Sequence, residues 1–243
     1  MRQVKDEASI MLQRAYNEWH SKYTKPNKED PSSQILKYLR AKPERKILDI
    51  SCGKGNFIRC AMKRRLYPVG IDISKKAIYM AKSFCPDSET MIGAAENLPM
   101  KDECFDYVTC IGSLEHYLHP DQAIKEIVRV LKPGGLSCIL VPNSYFIGHI
   151  YMVYRYGIPP SEGFQSFSEE FGTRIEWENL LKENGLIVLR TFKYNKILAS
   201  RKAGMITTLL YNLLLAPITP LNLSYAFIFI CTKRAKCTPL KGR

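Results

Sequence analysis

Short apolar runs alternate with helical segments along most of the chain after residue 45, and this alternation constrains the fold more than any other feature. Each unit of run and helix takes about 25–30 residues, the size of a βαβ unit. We therefore predict an α/β fold with a doubly wound, mostly parallel sheet and helices on both faces. Ligands bind such sheets beyond the carboxyl ends of the strands. The predicted strands are residues 46–50, 68–73, 89–94, 105–112, 136–143, 186–194 and 223–234.

The length of 243 residues fits one large domain with insertions, so we predict a single domain over residues 1–243. Residues 4–23 have the apolar spacing of a helix, and Ser32 or Ser33 is predicted to cap a second helix. Residues 1–33, which contain the first of these helices, are predicted to form an N-terminal helical extension. A later helix is predicted to run up to the sequence PGG at residues 133–135.

Cysteine and histidine spacing argues against a metal site. The eight cysteines form no C-x-x-C pair and the four histidines show no metal-ligand spacing, so we predict reduced thiols and no bound metal. The first ten residues include Asp6 and Glu7 and contain no apolar core of a signal peptide. We therefore expect a cytoplasmic protein.

The sequence LDISCGKGN places Gly53 and Gly55 at a strand-to-helix turn. Two such glycines let the backbone approach a ligand, and the helix that follows offers free N–H groups. A dinucleotide site would have a third glycine where Ile58 stands. Asp49, inside the strand, suits a ligand with a positive amino group better than a pyrophosphate. Asp72, at the end of the second strand, can accept both hydrogen bonds of a ribose diol.

Five segments stand in an order and spacing that resemble a known family. They are ILDISCGKG, GIDIS, GAAENLPMKDECFDYV, SLEHYLHPDQ and EIVRVLKPGG, and they cover residues 34–143, with a looser likeness to residue 234. The family is that of the class I S-adenosylmethionine-dependent methyltransferases, in the small-molecule, type 11-like subgroup. The resemblance implies a Rossmann-like, seven-stranded sheet with an antiparallel last strand. It also implies S-adenosylmethionine as methyl donor.

The resemblance assigns residues around the first turn to the methionyl end of the donor. Asp49 should hold the amino group, Ser51, Gly53 and Gly55 should line the methionine and ribose, and Ile111 should lie near the sulfur. Ser51 stands where the family has glycine. A small side chain is tolerated there if the local φ is negative.

The resemblance assigns a second group of residues to the nucleoside. Asp72 should hold the ribose hydroxyls and Ile73 should flank the adenine. Ala95 should offer its backbone N–H to the adenine, with Glu96 beside it. Ala94 replaces an aspartate that binds the adenine amino group in many relatives, so that contact is expected to be lost.

His116 and Tyr117, with Glu115 alongside, are the candidates for a general base, because a nucleophile that carries a proton needs a base within hydrogen-bond reach. The competing interpretation is that His116 only shapes the pocket, since the sequence LEH recurs in the family whatever the substrate. Weaker candidates follow the fifth strand: Tyr145, His149, Tyr151 and Tyr154.

Two segments exceed what the fold requires. Residues 144–174, rich in Tyr and Phe, are predicted to be a loop that acts as a substrate lid. Residues 195–222 form an apolar insertion before the last strand. Within the insertion we predict a helix over residues 203–216 that is apolar nearly all round and therefore buried. Pro217 and Pro220 interrupt the apolar run, so it is too short to span a bilayer.

The net charge of +13 is concentrated near the C-terminus, where residues 190–243 contain ten Lys or Arg and no Asp or Glu. A basic excess attracts phosphate on lipid, nucleic acid or substrate, or serves solubility alone. With the apolar insertion it favours a small-molecule, lipid-like acceptor met at an anionic membrane surface. A soluble metabolite or glycan acceptor stays open. Binding or modification of RNA or protein also stays open, although the sequence contains no RNA-binding motif.

Overall fold

One seven-stranded sheet organises the protein in the computed structural model, which describes residues 2–22, 30–157, 172–195 and 211–234. The strands form where the apolar runs predict them. They are β1 (Lys46–Ile50), β2 (Tyr67–Asp72), β3 (Glu89–Ile92), β4 (Phe105–Ile111), β5 (Leu131–Pro142), β6 (Leu186–Tyr194) and β7 (Ala226–Lys233).

The strand order is β3-β2-β1-β4-β5-β7-β6. The pairs among the first five strands are parallel, and β7 runs antiparallel to both β5 and β6. This confirms the predicted fold class. Strand order reverses between β1 and β4, so their carboxyl ends flank the switch point at which ligands bind in such sheets.

Helices cover both faces of the sheet, which is why the central strands place apolar residues on both of their faces. In β1, Ile47 packs in the core on one face, while Leu48 packs in the core on the other. The same alternation places Phe227 and Ile228 of β7 on opposite faces. The helices are α1 (Arg2–Lys22), α2 (Ser32–Tyr38), α3 (Asn56–Lys63), α4 (Lys75–Phe84), α5 (Pro120–Val130), α6 (Ile147–Tyr156) and α7 (Arg174–Glu183).

Two predicted helix ends are wrong. Ser32 lies inside α2 rather than at its N-cap, which is Pro31, because both its backbone N–H and its hydroxyl bond the carboxylate of Asp30. The helix predicted to reach the PGG sequence ends at Val130, and Leu131 already pairs with β4. A proline disfavours helical backbone in the residue before it, so the strand begins ahead of the turn.

Arg129 connects two of the family-like segments through hydrogen bonds and ion pairs. Its guanidinium donates to the carbonyl oxygens of Leu98 (2.9 Å) and Met100 (2.6 Å) and to the carboxylates of Asp102 (2.8 Å) and Glu126 (2.7 Å). Glu126 also accepts the backbone N–H of Leu98 at 2.7 Å. These bonds hold the loop after β3 against α5. Both segments therefore stabilise the fold, in addition to any role at the site.

The segment predicted as a loop over residues 144–174 contains a helix, α6, so that part of the prediction is wrong. Residues 158–171 lie outside the described part of the chain. The two ends of the segment meet, since the Ser144 N–H donates to the Gly172 carbonyl at 3.2 Å. The segment therefore leaves and rejoins the sheet at the carboxyl end of β5.

Most of the helix predicted over residues 203–216 lies outside the described residues. The described part is a π-helical turn, Tyr211–Leu215, followed by an α-helical turn, α8 (Ala216–Ile218), which continues past Pro217. A proline at the start of a helical turn lacks only an N–H that would have no partner there. The predicted burial is wrong for this part, because Leu213 is 67% exposed and Leu214 is 58% exposed. None of the described helices is long and apolar enough to cross a membrane.

Candidate active site

The turn after β1 has left-handed backbone at alternate residues. The φ angles of Ser51, Gly53 and Gly55 are 56°, 52° and 80°. The condition that Ser51 has a negative φ is therefore not met, and this backbone costs a non-glycine residue about 1 kcal/mol. A hydrogen bond of 2.8 Å between the hydroxyls of Ser51 and Tyr117 offsets part of that cost and ties the turn to the segment after β4.

Asp72 joins the ends of two strands. One carboxylate oxygen accepts the Gly53 N–H at 2.9 Å and the other accepts the Ser74 N–H at 2.8 Å. Burial raises the pKa of this carboxyl, and the two backbone N–H groups act in the opposite direction. Ser74 is the N-cap of α4 and accepts the Ala77 N–H at 3.1 Å. Asp72 therefore holds the glycine turn against the start of α4 and also faces the cavity described next.

A cavity of about 600 Å³ opens at the carboxyl ends of β1, β2 and β4. Gly55 does not line it: a Cβ there would lie 3.2 Å from the Cβ of Ala81, so this glycine serves close packing against α4. Ala94 lines the cavity and brings no carboxylate to it. The predicted site residues that do line it are Asp49, Ser51, Gly53, Asp72, Ile73, Ala95, Glu96, Ile111, His116 and Tyr117.

Asp49 is the most perturbed carboxyl group of the cavity. It is 3% exposed and accepts the Thr109 hydroxyl at 2.8 Å. Burial raises the pKa of Asp49 to about 8, so the group is mainly protonated near neutral pH. A cationic group entering the cavity would favour its ionised form.

Helix α1 closes the cavity on the side opposite the sheet. This position of the helix was not predicted from the sequence. The Gln13 side chain donates to the Ile73 carbonyl at 2.8 Å, and Asn17 accepts the Ser74 hydroxyl at 2.8 Å. The apolar spacing of residues 4–23 predicted the helix but not its place. The residues that α1 and the start of α2 add to the lining are Leu12, Tyr16, Trp19, His20, Asp30, Pro31 and Ser32.

The predicted lid and insertion do not reach this cavity within the described residues. The lining contains no residue of 144–157, 172–174 or 211–222. Among described residues the wall opposite the sheet therefore comes from α1.

The two candidate bases differ in their surroundings. The Tyr117 hydroxyl lies 2.8 Å from the Ser51 oxygen and 3.3 Å from the Cys110 sulfur, and burial raises the pKa of Tyr117 well above its usual value. A neutral phenol held in this way can position neighbouring groups but is a poor base near neutral pH. Burial lowers the pKa of His116 to about 4, so its imidazole is neutral near pH 7 but is a weaker base than an ordinary histidine. Its role as base stays a prediction.

Residues 48–139 match the family model of the methyltransferase domain. The segment spans β1 to the middle of β5 and includes the turn, Asp72 and the Arg129 contacts. With the seven-stranded sheet and the cavity at its switch point, the match identifies a class I S-adenosylmethionine-dependent methyltransferase domain of the type 11 kind. S-adenosylmethionine is the methyl donor.

Several known proteins share this domain. An uncharacterized methyltransferase of Mycobacterium tuberculosis is 27% identical over 165 residues, which are 64% of this chain and 67% of that protein. The demethylmenaquinone methyltransferase of Chlorobaculum tepidum is 30% identical over 133 residues, 53% of this chain and 55% of that protein. The crystal structure of a Pyrococcus horikoshii protein, 22% identical, has the same fold with a TM-score of 0.61, covering 84% of this chain and 88% of that chain.

The residues of the cavity fit this donor. S-adenosylmethionine supplies a methyl group on a positively charged sulfur, and the protein's task is to align that group with the acceptor. We propose that Asp49 holds the amino group of the donor and Asp72 its ribose hydroxyls. Ile73 would flank the adenine, beside Ala95 and Glu96. The buried, mainly protonated carboxyl of Asp49 suits a ligand that brings its own ammonium group.

We expect donor binding near neutral pH to release close to one proton. Because burial raises the pKa of Asp49 to about 8, the free enzyme carries that proton, and an ammonium beside the carboxylate favours its loss. Affinity should therefore increase from about pH 6 to about pH 7.5. Calorimetry in two buffers of different ionisation enthalpy measures the release. Asp49→Asn keeps an acceptor for Thr109 but cannot ionise, so it should bind more weakly and release no proton. Equal release by wild type and Asp49→Asn would contradict the assignment.

Proposed function

We propose that this enzyme transfers the methyl group of S-adenosylmethionine to an apolar, lipid-like small molecule that it meets at an anionic membrane surface. The observation that carries the proposal is a set of exposed apolar side chains on α6 and on the turn 211–218. We call this set the apolar rim. The rim is attached to the same edge of the sheet as the donor cavity.

The exposure of the apolar rim is unusual for side chains of this size. Tyr154 on α6 is 86% exposed, and Leu213 on the π-helical turn is 67% exposed. Large exposed apolar patches commonly mark contacts with lipid or with a partner. The members of the rim are Ile147, Ile150, Tyr151, Val153, Tyr154, Tyr156, Leu213, Leu214, Leu215 and Ile218.

Asn143 hydrogen-bonds the two chain segments that adjoin α6 and the turn 211–218. Its amide nitrogen donates to the carbonyls of Asn222 (3.0 Å) and Ser224 (2.8 Å), at the end of the insertion. Its side-chain oxygen accepts the Tyr145 N–H at 3.0 Å, just before α6. Asn143 directly follows the carboxyl end of β5. A membrane that bound the rim would therefore lie at the edge of the sheet where the donor cavity opens.

Charge supports lipid as the surface that the rim meets. The ten Lys or Arg of residues 190–243 are accompanied by no acidic residue, and basic residues next to an apolar surface favour anionic headgroups. Two of the ten are engaged within the protein instead. The Lys193 ammonium donates to the Thr219 carbonyl at 2.9 Å and to the Pro217 carbonyl, and Lys233 pairs with Glu103 at 2.6 Å.

The relatives support an apolar acceptor. Two of them are demethylmenaquinone methyltransferases, from Chlorobaculum tepidum and from Thermotoga maritima, the latter 34% identical over 122 residues. Their names specify a quinone acceptor. The aromatic and aliphatic residues of α1 that line the cavity, among them Leu12, Tyr16 and Trp19, suit a ring or a chain of similar character.

Sedimentation with anionic vesicles that contain lipid extract of the source cell tests the proposal. We expect wild type to sediment with these vesicles and to transfer labelled methyl into the organic phase. The double variant Leu213→Ser/Leu214→Ser should bind the vesicles about tenfold more weakly, since it removes two apolar side chains from the contact.

The matched control is Tyr79→Ser on α4, a tyrosine that is 70% exposed and outside the rim. It should bind as wild type does. Label recovered in the aqueous phase would point to a soluble metabolite or glycan, and label in precipitated macromolecule would point to RNA or protein. Either result would overturn the lipid-like acceptor. Equal binding to anionic and neutral vesicles would exclude the proposed role of charge.

A further inference from the structure

His20 on α1 is a buried polar side chain that faces the donor cavity. It is 5% exposed and lines the cavity beside Trp19, whose ring centroid lies 4.8 Å away. Its Nδ1 atom is buried and has no hydrogen-bond partner among the residues that the structure describes. A buried ring nitrogen of this kind usually has a partner, and a ligand in the cavity would supply one once the imidazole turns to expose the nitrogen.

The ring of His20 lies against the glycine turn. Its Cε1 atom is 3.7 Å from the place that a Cβ on Gly53 would take. Lys54, the next residue, also lines the cavity and brings a positive charge close enough to act on His20. Burial first, and then Lys54, lowers the pKa of His20 to about 4, so the imidazole is neutral and its N–H can be donated.

A neutral imidazole N–H next to a lysine suits an anion. S-adenosylmethionine carries one anionic group, the carboxylate at its methionyl end, and Gly53 and Asp49 are the residues proposed above for that end. Asp49, which is paired with Thr109, suits the amino group and not the carboxylate. His20 and Lys54 are therefore left for the carboxylate.

We propose that His20 and Lys54 form the subsite for the α-carboxylate of the donor, so that α1 binds the donor directly. This inference rests on the proposed placement of the methionyl end at Gly53. It gives α1 a third attachment to the rest of the domain, beside the side-chain bonds of Gln13 and Asn17. Donor binding would then hold α1 over the cavity.

Calorimetry without acceptor tests the proposal with two ligands, S-adenosylmethionine and its decarboxylated form. Both carry the sulfonium, the adenosine and the amino group, and only one carries the carboxylate. We expect His20→Ala to weaken binding of S-adenosylmethionine about tenfold, the cost of a hydrogen bond to a charged group. Binding of the decarboxylated form should change less than about twofold.

His20→Gln, which keeps an N–H donor, should recover part of the loss, and Ser21→Ala, an exposed neighbour on α1, should bind as wild type does. Lys54→Met should reproduce the selective loss. Equal weakening of both ligands by His20→Ala would show that the histidine only packs, and an unchanged affinity would also overturn the subsite. If wild type bound neither ligand, the donor site itself would be wrong, a result distinct from failure of the subsite alone.

Discussion

Asp72→Ala should abolish the thermal stabilisation of the enzyme by S-adenosylhomocysteine, the demethylated product of the donor. A ligand present at about 100 times its Kd stabilises a protein by about 2.7 kcal/mol, which raises Tm by about 5–10 °C for a chain of this size. The variant loses the carboxylate proposed for the ribose hydroxyls. It also frees the Gly53 N–H, which Asp72 accepts at 2.9 Å, so the turn that faces the ligand is no longer held.

The variant is also expected to be less stable without ligand, by about 1–3 kcal/mol, because two backbone N–H groups lose their acceptor. Binding should therefore be measured by calorimetry well below the Tm of each variant, so that loss of folding is not mistaken for loss of binding. Asp87→Asn, at an exposed site after α4, is the control and should keep the full shift. A shift of wild-type size in Asp72→Ala would exclude Asp72 from the donor site.

Arg129→Ala should be the most destabilising of these single substitutions. Its guanidinium contacts two backbone carbonyls and two carboxylates, and its side chain is 29% exposed. Removal leaves Glu126, 8% exposed, with a buried charge that only the Leu98 N–H satisfies. We expect a loss of about 2–4 kcal/mol, less than for a fully buried ion pair because water reaches part of the site. Thermal or urea unfolding measures it.

Arg45→Ala is the matched control, since Arg45 is 54% exposed and reaches one carboxylate, Asp106, at 3.3 Å. It should cost less than about 1 kcal/mol. Arg129→Lys keeps the charge but not the planar fork, so it should recover only part of the loss. If Arg129→Ala and Arg45→Ala cost the same, the bonds from Arg129 to the loop after β3 would not be the stabilising contacts inferred from the structure.

The sheet could be predicted from the sequence because its determinants are local. Each strand is a short run of mainly apolar residues, because a strand buried on both faces presents apolar side chains to both, as Ile47, Leu48 and Ile50 do in β1. The site could be placed for a related reason. Asp49 and Asp72 end neighbouring parallel strands, and the carboxyl ends of parallel strands meet at one edge.

Contacts between distant segments could not be predicted in this way. Gln13 reaches Ile73 across 60 residues, and nothing in the apolar spacing of α1 specifies which part of the sheet it covers. The positive φ of Ser51 also depends on a distant contact. The hydroxyl of Tyr117, 66 residues away, hydrogen-bonds Ser51 in a left-handed backbone conformation that serine alone disfavours.

The order of elements, the family and the residues of the glycine turn could be read from local patterns, because periodicity and short motifs act over a few residues. The packing of the chain places α1, rather than the described part of the aromatic segment after β5, over the donor cavity. It also decides that the apolar turn 211–218 faces outward. Both outcomes depend on which surfaces are left to pack once the sheet has formed, and a linear pattern does not contain that information.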